Sequence, residues 1–243
     1  MLNWVSNKEF FIDEIGFSID ITEGPNRRES TDEFFTLVKT KKYIEDYLCL
    51  QDEGFENVLE LGMFQGGSIV FFDKLLKPKR LAGVDIKSES IGALDRYIER
   101  GASHIKTYYN SSQDDEALLQ NIVEKDLNGS VDLVVDDASH LYEITRKSFL
   151  ILFPLLEPGG LYIIEDWAWS HREGSQKPAH PWYDKPALTN LVFELIVELA
   201  GNRDIEEVSV NNNMVKIRKS SNASGRRSVL ESMRLRDKEL FTV

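Results

Sequence analysis

Two pairs of acids and one histidine stand where chemistry could be done. The run 131–135 (VDLVV) ends in Asp136-Asp137, the run 161–164 (LYII) ends in Glu165-Asp166, and His140 follows the first pair by three residues. Both runs are short and largely apolar, and one helix's worth of sequence separates them, the pattern of neighbouring parallel strands buried on both faces. A βαβ crossover brings both carboxyl ends to one edge of a sheet, so the four carboxylates and the imidazole converge. Acids at strand ends also serve as helix caps or turn residues. Two pairs at one edge, however, repel one another and require a cation, and an oxygen-rich donor set suits Mg²⁺.

A second constellation lies upstream. The strand-like run 58–61 (VLEL), which contains Glu60, leads into Gly62-Met63-Phe64-Gln65-Gly66-Gly67-Ser68 and then into an apolar helix over 69–76. Glycines let such a turn pass close to a ligand, and the helix N-terminus offers free N–H groups to it. The spacing is not the Gly-x-Gly-x-x-Gly of dinucleotide enzymes, which disfavours a pyrophosphate. The next run, 81–84, ends in Asp85, an acid placed to accept both hydroxyls of a ribose. A nucleoside without a pyrophosphate fits both features.

These residues need a frame, and the rest of the chain supplies the rhythm of one. Helix at 90–100, strand at 104–109, helix at 114–126, strand at 131–135, helix at 142–156 and strand at 161–164 alternate as in a doubly wound α/β sheet. A helix over 186–201, with Leu188, Leu191, Val192, Leu195, Ile196 and Leu199 as a core stripe, precedes a closing hairpin of 205–210 and 214–217. Together with 58–61 and 81–84 this makes a mostly parallel, seven-stranded sheet ending in an antiparallel hairpin. Ahead of it, residues 1–29 carry Trp4, Phe10, Phe11 and Phe17 without a clear period, and Ser30-Thr31-Asp32-Glu33 reads as a capping box opening a helix through Phe34, Leu37, Val38, Ile44 and Leu48. The expected organisation is an N-terminal arm and lead-in helix at 1–50, a main domain at 51–219 and a tail at 220–243. Of the tail, 220–228 has linker composition and 229–243 is expected to be mobile or docked on a neighbour.

Composition narrows the partners. A formal net charge of −12 over 243 residues argues against a nucleic-acid backbone as partner. No apolar run reaches the ~20 residues of a membrane span, and no charged start with an apolar segment opens the chain, so a cytoplasmic protein without a membrane partner is expected. The single cysteine, Cys49, among Tyr47, Leu48 and Leu50, is expected to pack in a core.

Strand order, nucleoside turn, ribose acid and closing hairpin together resemble the class I S-adenosylmethionine methyltransferases over about 58–219. More narrowly, DDASH followed by SFLILFPLLEPGGLYIIEDW is similar to the Mg²⁺-dependent O-methyltransferases that modify sugars of macrolide antibiotics, and to their cephalosporin-tailoring relatives. The resemblance implies that Asp137, Glu165 and Asp166 bind the metal and that His140 is the base. It further implies that Glu60, Gly62, Gly66 and Ser68 surround the methionine part of S-adenosylmethionine, that Asp85 holds the ribose, that Ser112 and Gln113 flank the adenine, and that Asp136 lies near the sulfonium. Ser112 has a second reading as the cap of the following helix. A homo-oligomer is expected from the same resemblance.

The reaction implied is methyl transfer to a hydroxyl of a small-molecule acceptor, a sugar or vicinal diol. An alcohol ionises poorly near neutrality, which is where a metal and a histidine base help. The rivals are a catechol-type phenol acceptor, which needs a base less because a phenol ionises near pKa ~10, and a nucleoside-cofactor-binding module without catalysis. The loop 167–185, with Trp167, Trp169, His171, His180, Trp182 and Tyr183, is expected to act as a lid over the acceptor, or else to fold its aromatics back onto the core. His104, His171 and His180 are read as structural or lid residues.

Overall fold

Aromatic residues without a helical or strand period open the chain, and they form strands all the same. In the computed structural model, which describes residues 2–22, 24–201 and 203–223 and the backbone of two short strands at 234–235 and 238–239, contacts divide the chain into two compact units, Met1–Ser111 and Ser112–Val243. The first begins with a four-stranded sheet of β1 (Leu2–Trp4), β2 (Glu9–Ile12), β3 (Ile15–Ile19) and β4 (Phe34–Leu37), in that order. The first two pairings are antiparallel and β3 with β4 is parallel. Phe10 and Phe17 are buried and stack at 5.1 Å, each meeting the ring of Phe71 edge-on at 6.1 and 5.9 Å. Two of the arm's aromatics, Phe10 and Phe17, therefore form part of the interior of this unit, whereas Trp4 and Phe11 are half-buried.

The expected helix from Ser30 is corrected by the structure. Residues 34–37 are β4, and α1 spans only Lys41–Leu48. The hydroxyls that resemble a capping box serve the strand instead: Thr31 Oγ1 accepts from the Phe34 N–H at 3.2 Å, and Ser30 Oγ from that of Thr36 at 3.1 Å. Asp32 takes the guanidinium groups of Arg96 at 2.6 Å and Arg100 at 2.5 Å. Phe34-Phe35-Thr36 is aromatic and β-branched, and tertiary pairing with β3 overrides the local cap signal. Cys49 is likewise not a core residue; it is exposed at the end of α1, its Sγ 3.6 Å from the Glu45 carbonyl.

The unit continues through β5 (Asn57–Leu61), α2 (Gly67–Leu76), β6 (Arg80–Val84), α3 (Gly92–Glu99) and β7 (Ile105–Tyr108), with β5, β6 and β7 paired in parallel. Gly66 adopts a φ of 76°, and Gly67 sits so close to β4 that an added Cβ would lie 2.0 Å from the Thr36 carbonyl oxygen. Backbone cannot yield as a side chain can, so Gly67→Ala should destabilise the protein by about 1–3 kcal/mol. A thermal melt reads this as a midpoint lowered by roughly 2–4 °C per kcal/mol at this size; an unchanged midpoint contradicts the packing.

The second unit holds α4 (Glu116–Lys125), β8 (Val131–Asp136), α5 (Tyr142–Leu152), β9 (Leu156–Glu165), α6 (Thr189–Leu199), β10 (Ile205–Val210) and β11 (Met214–Lys219). Seven strands form one sheet in the order β10-β11-β9-β8-β5-β6-β7, with β8 and β9 parallel and β9-β11-β10 antiparallel. This is the expected mostly parallel α/β sheet with its closing hairpin. The hairpin turn is built by Asn211, whose Oδ1 accepts from the N–H groups of Asn213 at 2.8 Å and Met214 at 2.9 Å. The stripe predicted for α6 is corrected in part: Leu188, Leu191, Val192 and Leu195 are buried, whereas Ile196 is 50% and Leu199 37% exposed. Among the described residues no helix is long and apolar enough to cross a membrane. The expectations for 224–243 lie outside the described residues, apart from the two short strands.

Candidate active site

In the second unit the strand ends gather the predicted acids. Asp136 pairs with Ile164 across β8 and β9, so Asp137, just past β8, and Glu165, the last residue of β9, stand at one level. Asp137, His140 and Asp166 each offer a ligand atom, and the three atoms lie within 4.8 Å of one another. His140 Nε2 is 3.8 Å from Asp137 Oδ1, too far for a hydrogen bond and close enough to share a ligand. Glu165 is 1% exposed and falls outside this group of three. Asp166 lies just past β9 with a left-handed main chain, so the strand's alternation ends at Glu165. Asp166 has a φ of 51° and His140 one of 55°, left-handed conformations that cluster at functional sites. Arg172 donates to Asp166 Oδ1 at 2.7 Å.

Beneath this group lies a buried polar layer. Asp136 accepts from Tyr162 Oη at 3.0 Å and from Gln113 Nε2 at 2.9 and 3.2 Å. Burial pushes its carboxyl up to about 7, against the hydrogen bonds from Tyr162 and Gln113 that favour the ionised form. The Gln113 amide also accepts the Ser139 N–H at 2.7 Å and donates to Ser148 Oγ at 3.1 Å. Its side chain thereby ties Asp136 to the DDASH loop. Ser112 does not cap α4: its hydroxyl bonds Asp114, and the cap is Asp115, which accepts from the Leu118 N–H at 3.1 Å.

The loop 167–185 is anchored at several points. Trp167 Nε1 donates to the Asn211 carbonyl at 2.7 Å, His171 Nε2 pairs with Thr189 Oγ1 at 2.5 Å, and Trp169 Nε1 donates to the His140 carbonyl at 2.7 Å. Trp169 is buried, while Tyr183 is exposed. Trp169 was not marked as a site residue by its sequence; its signal is only that it follows Asp166 by three residues in an aromatic stretch.

In the first unit the glycine turn is shaped by the acid expected to hold a ribose. Asp85 Oδ2 accepts from the N–H groups of Met63 at 2.9 Å and Phe64 at 2.7 Å, and Oδ1 from that of Lys87 at 2.8 Å. Three of about four lone-pair positions on that carboxylate are engaged by main chain. Gly62 has a φ of 91°, Glu60 is fully buried on β5, and Ser68 lies in the first turn of α2. Gln65 adds a feature its sequence did not announce: its Oε1 is buried in this turn with no hydrogen-bond partner. A buried acceptor left unsatisfied costs free energy, and a donor on a ligand would relieve it.

Residues 59–167, from β5 to just past the acids after β9, match the family described as "Methyltransferase domain". These residues are similar to methyltransferase domains. Among curated relatives, the demethylmacrocin O-methyltransferase of Streptomyces fradiae is 30% identical over 163 residues, 63% of this chain and 37% of the relative. The mycinamicin VI 2''-O-methyltransferase of Micromonospora griseorubida is 31% identical over 131 residues, 51% of this chain and 30% of the relative. The chain thus spans well under half the length of these relatives. Among solved structures, the methyltransferase MycE from the mycinamycin biosynthetic pathway, in complex with Mg and SAH, is 26% identical with a TM-score of 0.56, covering 77% of this chain and 51% of that one. The O-methyltransferase TomG from Streptomyces achromogenes shares the fold, at 16% identity and a TM-score of 0.53 over 76% of this chain and 82% of that one. The matched stretch contains the Asp137–His140–Asp166 group and the glycine turn alike, Asp166 being its penultimate residue.

Proposed function

We propose that the chain transfers a methyl group from S-adenosylmethionine to a hydroxyl of a glycosylated small molecule, with a divalent cation held at the ends of β8 and β9. The observation that carries this reading is the convergence of Asp137, His140 and Asp166 inside a methyltransferase domain. The residues fit both groups. Two carboxylates within 4.8 Å of each other and of an imidazole suit a hard dication, and Gln65 Oε1, buried without a partner, suits an ammonium or hydroxyl donor of the cofactor. Relatives named as O-methyltransferases of a rhamnosyl tetracenomycin and of an L-olivosyl-oleandolide support a glycosylated acceptor.

When bound, the cofactor supplies the electrophilic methyl and the cation lowers the cost of negative charge on the acceptor oxygen. The chain's residues do the rest. Asp137 and Asp166, with Glu165 as a third carboxylate, hold the cation, because Mg²⁺ prefers oxygen ligands to imidazole nitrogen. That leaves His140 Nε2 to take the proton of the acceptor hydroxyl, a task imidazole suits near neutrality. Asp85 keeps Met63 and Phe64 in the turn that receives the cofactor and offers its remaining lone pair to the ribose. Glu60, Gly62, Gly66 and Ser68 line that turn. In the second unit, Ser112 and Gln113 serve the adenine, and Asp136 stands behind the reacting centre.

The test is transfer of labelled methyl from S-adenosylmethionine to glycosylated macrolides, with the matching aglycones and catechols as controls, in Mg²⁺ and in EDTA. Label on the sugar, dependent on Mg²⁺, is expected. Label on aglycones or catechols alone would overturn the sugar acceptor, and no transfer to any hydroxyl by protein that binds the cofactor would overturn the activity.

A further inference from the structure

His140 carries its imidazole on a main chain that few residues with a Cβ adopt, and something must hold it there. Its φ is 55°. Isolated left-handed residues other than glycine persist where surrounding contacts over-determine them. The contact here is Trp169. Its indole Nε1–H donates to the His140 carbonyl oxygen at 2.7 Å, and its own main-chain N–H donates to the Asp166 carbonyl at 3.2 Å. One residue is thus bonded to both loops that carry the Asp137–His140–Asp166 group.

Trp169 is itself held. It is 6% exposed. A buried indole N–H is costly without an acceptor, so its bond to His140 is under strong constraint. His180 stacks on the Trp169 ring at 5.9 Å with 15° between planes, and Trp182 meets it edge-on at 5.0 Å. Trp182 also meets the His140 imidazole at 6.5 Å, and its main-chain N–H donates to His180 Nδ1 at 3.2 Å. Three rings from one loop therefore back the histidine, the indole gripping its main chain and Trp182 touching its side chain.

We propose that Trp169 is a positioning residue for His140: its indole N–H holds the loop after β8 in the left-handed turn that sets the imidazole beside Asp137 and Asp166. Its catalytic consequence rests on the reading of His140 as the proton acceptor; the positioning itself does not. The loop 167–185 then braces the site from within, a role distinct from covering the acceptor.

Trp169→Phe keeps an aromatic ring in the packed cluster and removes only the donor. In the ligand-free protein, the ring resonances of His140 should differ between wild type and Trp169→Phe, while those of His104 on the other unit stay in place. In turnover, kcat should fall about 10- to 100-fold with the acceptor KM and S-adenosylmethionine affinity within about twofold. In a His140→Ala background the same substitution should change kcat by less than about twofold, because the two residues act as a unit. Unaltered His140 resonances, or a full additional loss in the His140→Ala background, would overturn the proposal. Should Trp169→Phe fail to fold, hydrogen exchange of the Trp169 indole N–H in the wild-type protein decides instead: slow exchange supports the bond, and exchange as fast as in an exposed indole overturns it. Absence of turnover in wild type would count against the proposed methyl transfer alone, since the resonance and exchange measurements need no substrate.

Discussion

Asp137→Ala should lose divalent-metal binding and methyl transfer together. The carboxylates of Asp137 and Asp166 converge from two strand ends with an imidazole within 4.8 Å, and removing one leaves a cation with too few oxygen ligands to offset its dehydration. Metal affinity, read by titration calorimetry with Mg²⁺ or Mn²⁺, should fall by at least about 100-fold, beyond the 10- to 100-fold that loss of a mere supporting contact produces. Activity at fixed Mg²⁺ should fall with it, and excess metal should restore part of it. Cofactor affinity, which the proposed function assigns to the turn around Asp85, should stay close to wild type. Full turnover in EDTA would remove the metal from the mechanism.

His140→Ala should separate from that result. Loss of a positioned base lowers the rate by roughly 10²- to 10⁴-fold. With His140 acting on the proton, the variant keeps its metal affinity and loses kcat. The grouping of His140 with Asp137 and Asp166 makes the contrary outcome equally readable: a variant that loses metal as severely as Asp137→Ala would make the imidazole a ligand and end its role as base. Glu165→Gln supplies the complementary measurement. Glu165 is buried at the end of β9, and a fall in metal affinity there without a fall in thermal midpoint would place it among the ligands.

Much of this was open to reading in the residues alone. Residues 133–135 of β8 and 161–164 of β9 are apolar runs with acids at their ends, so parallel strands buried on both faces, and the edge at which their acids emerge, follow from a local pattern. The glycine turn and Asp85 are legible for the same reason: positive φ at Gly62 and Gly66 is a local demand that glycine meets. At Ser30 to Glu33 local pattern misled. A cap signal there is outweighed by pairing of β4 with β3, a partner that lies across a long stretch of chain.

What sequence by itself determined, then, is the class of sheet, the strand ends that bear the acids and the kind of cofactor turn, all set by short-range periodicity and backbone constraints. Tertiary structure decided which of those acids stand together. It brought His140 together with Asp137 and Asp166, because side-chain direction past a strand end depends on the main-chain torsions there, and at His140 and Asp166 those torsions are left-handed. It also turned the Asp85 carboxylate onto the N–H groups of Met63 and Phe64, and brought the Trp169 indole 2.7 Å from the His140 carbonyl. Such hydrogen bonds join residues 21 to 29 positions apart, and no spacing rule encodes them; they exist because packing of the strands and the loop after β9 brings donor and acceptor to one place.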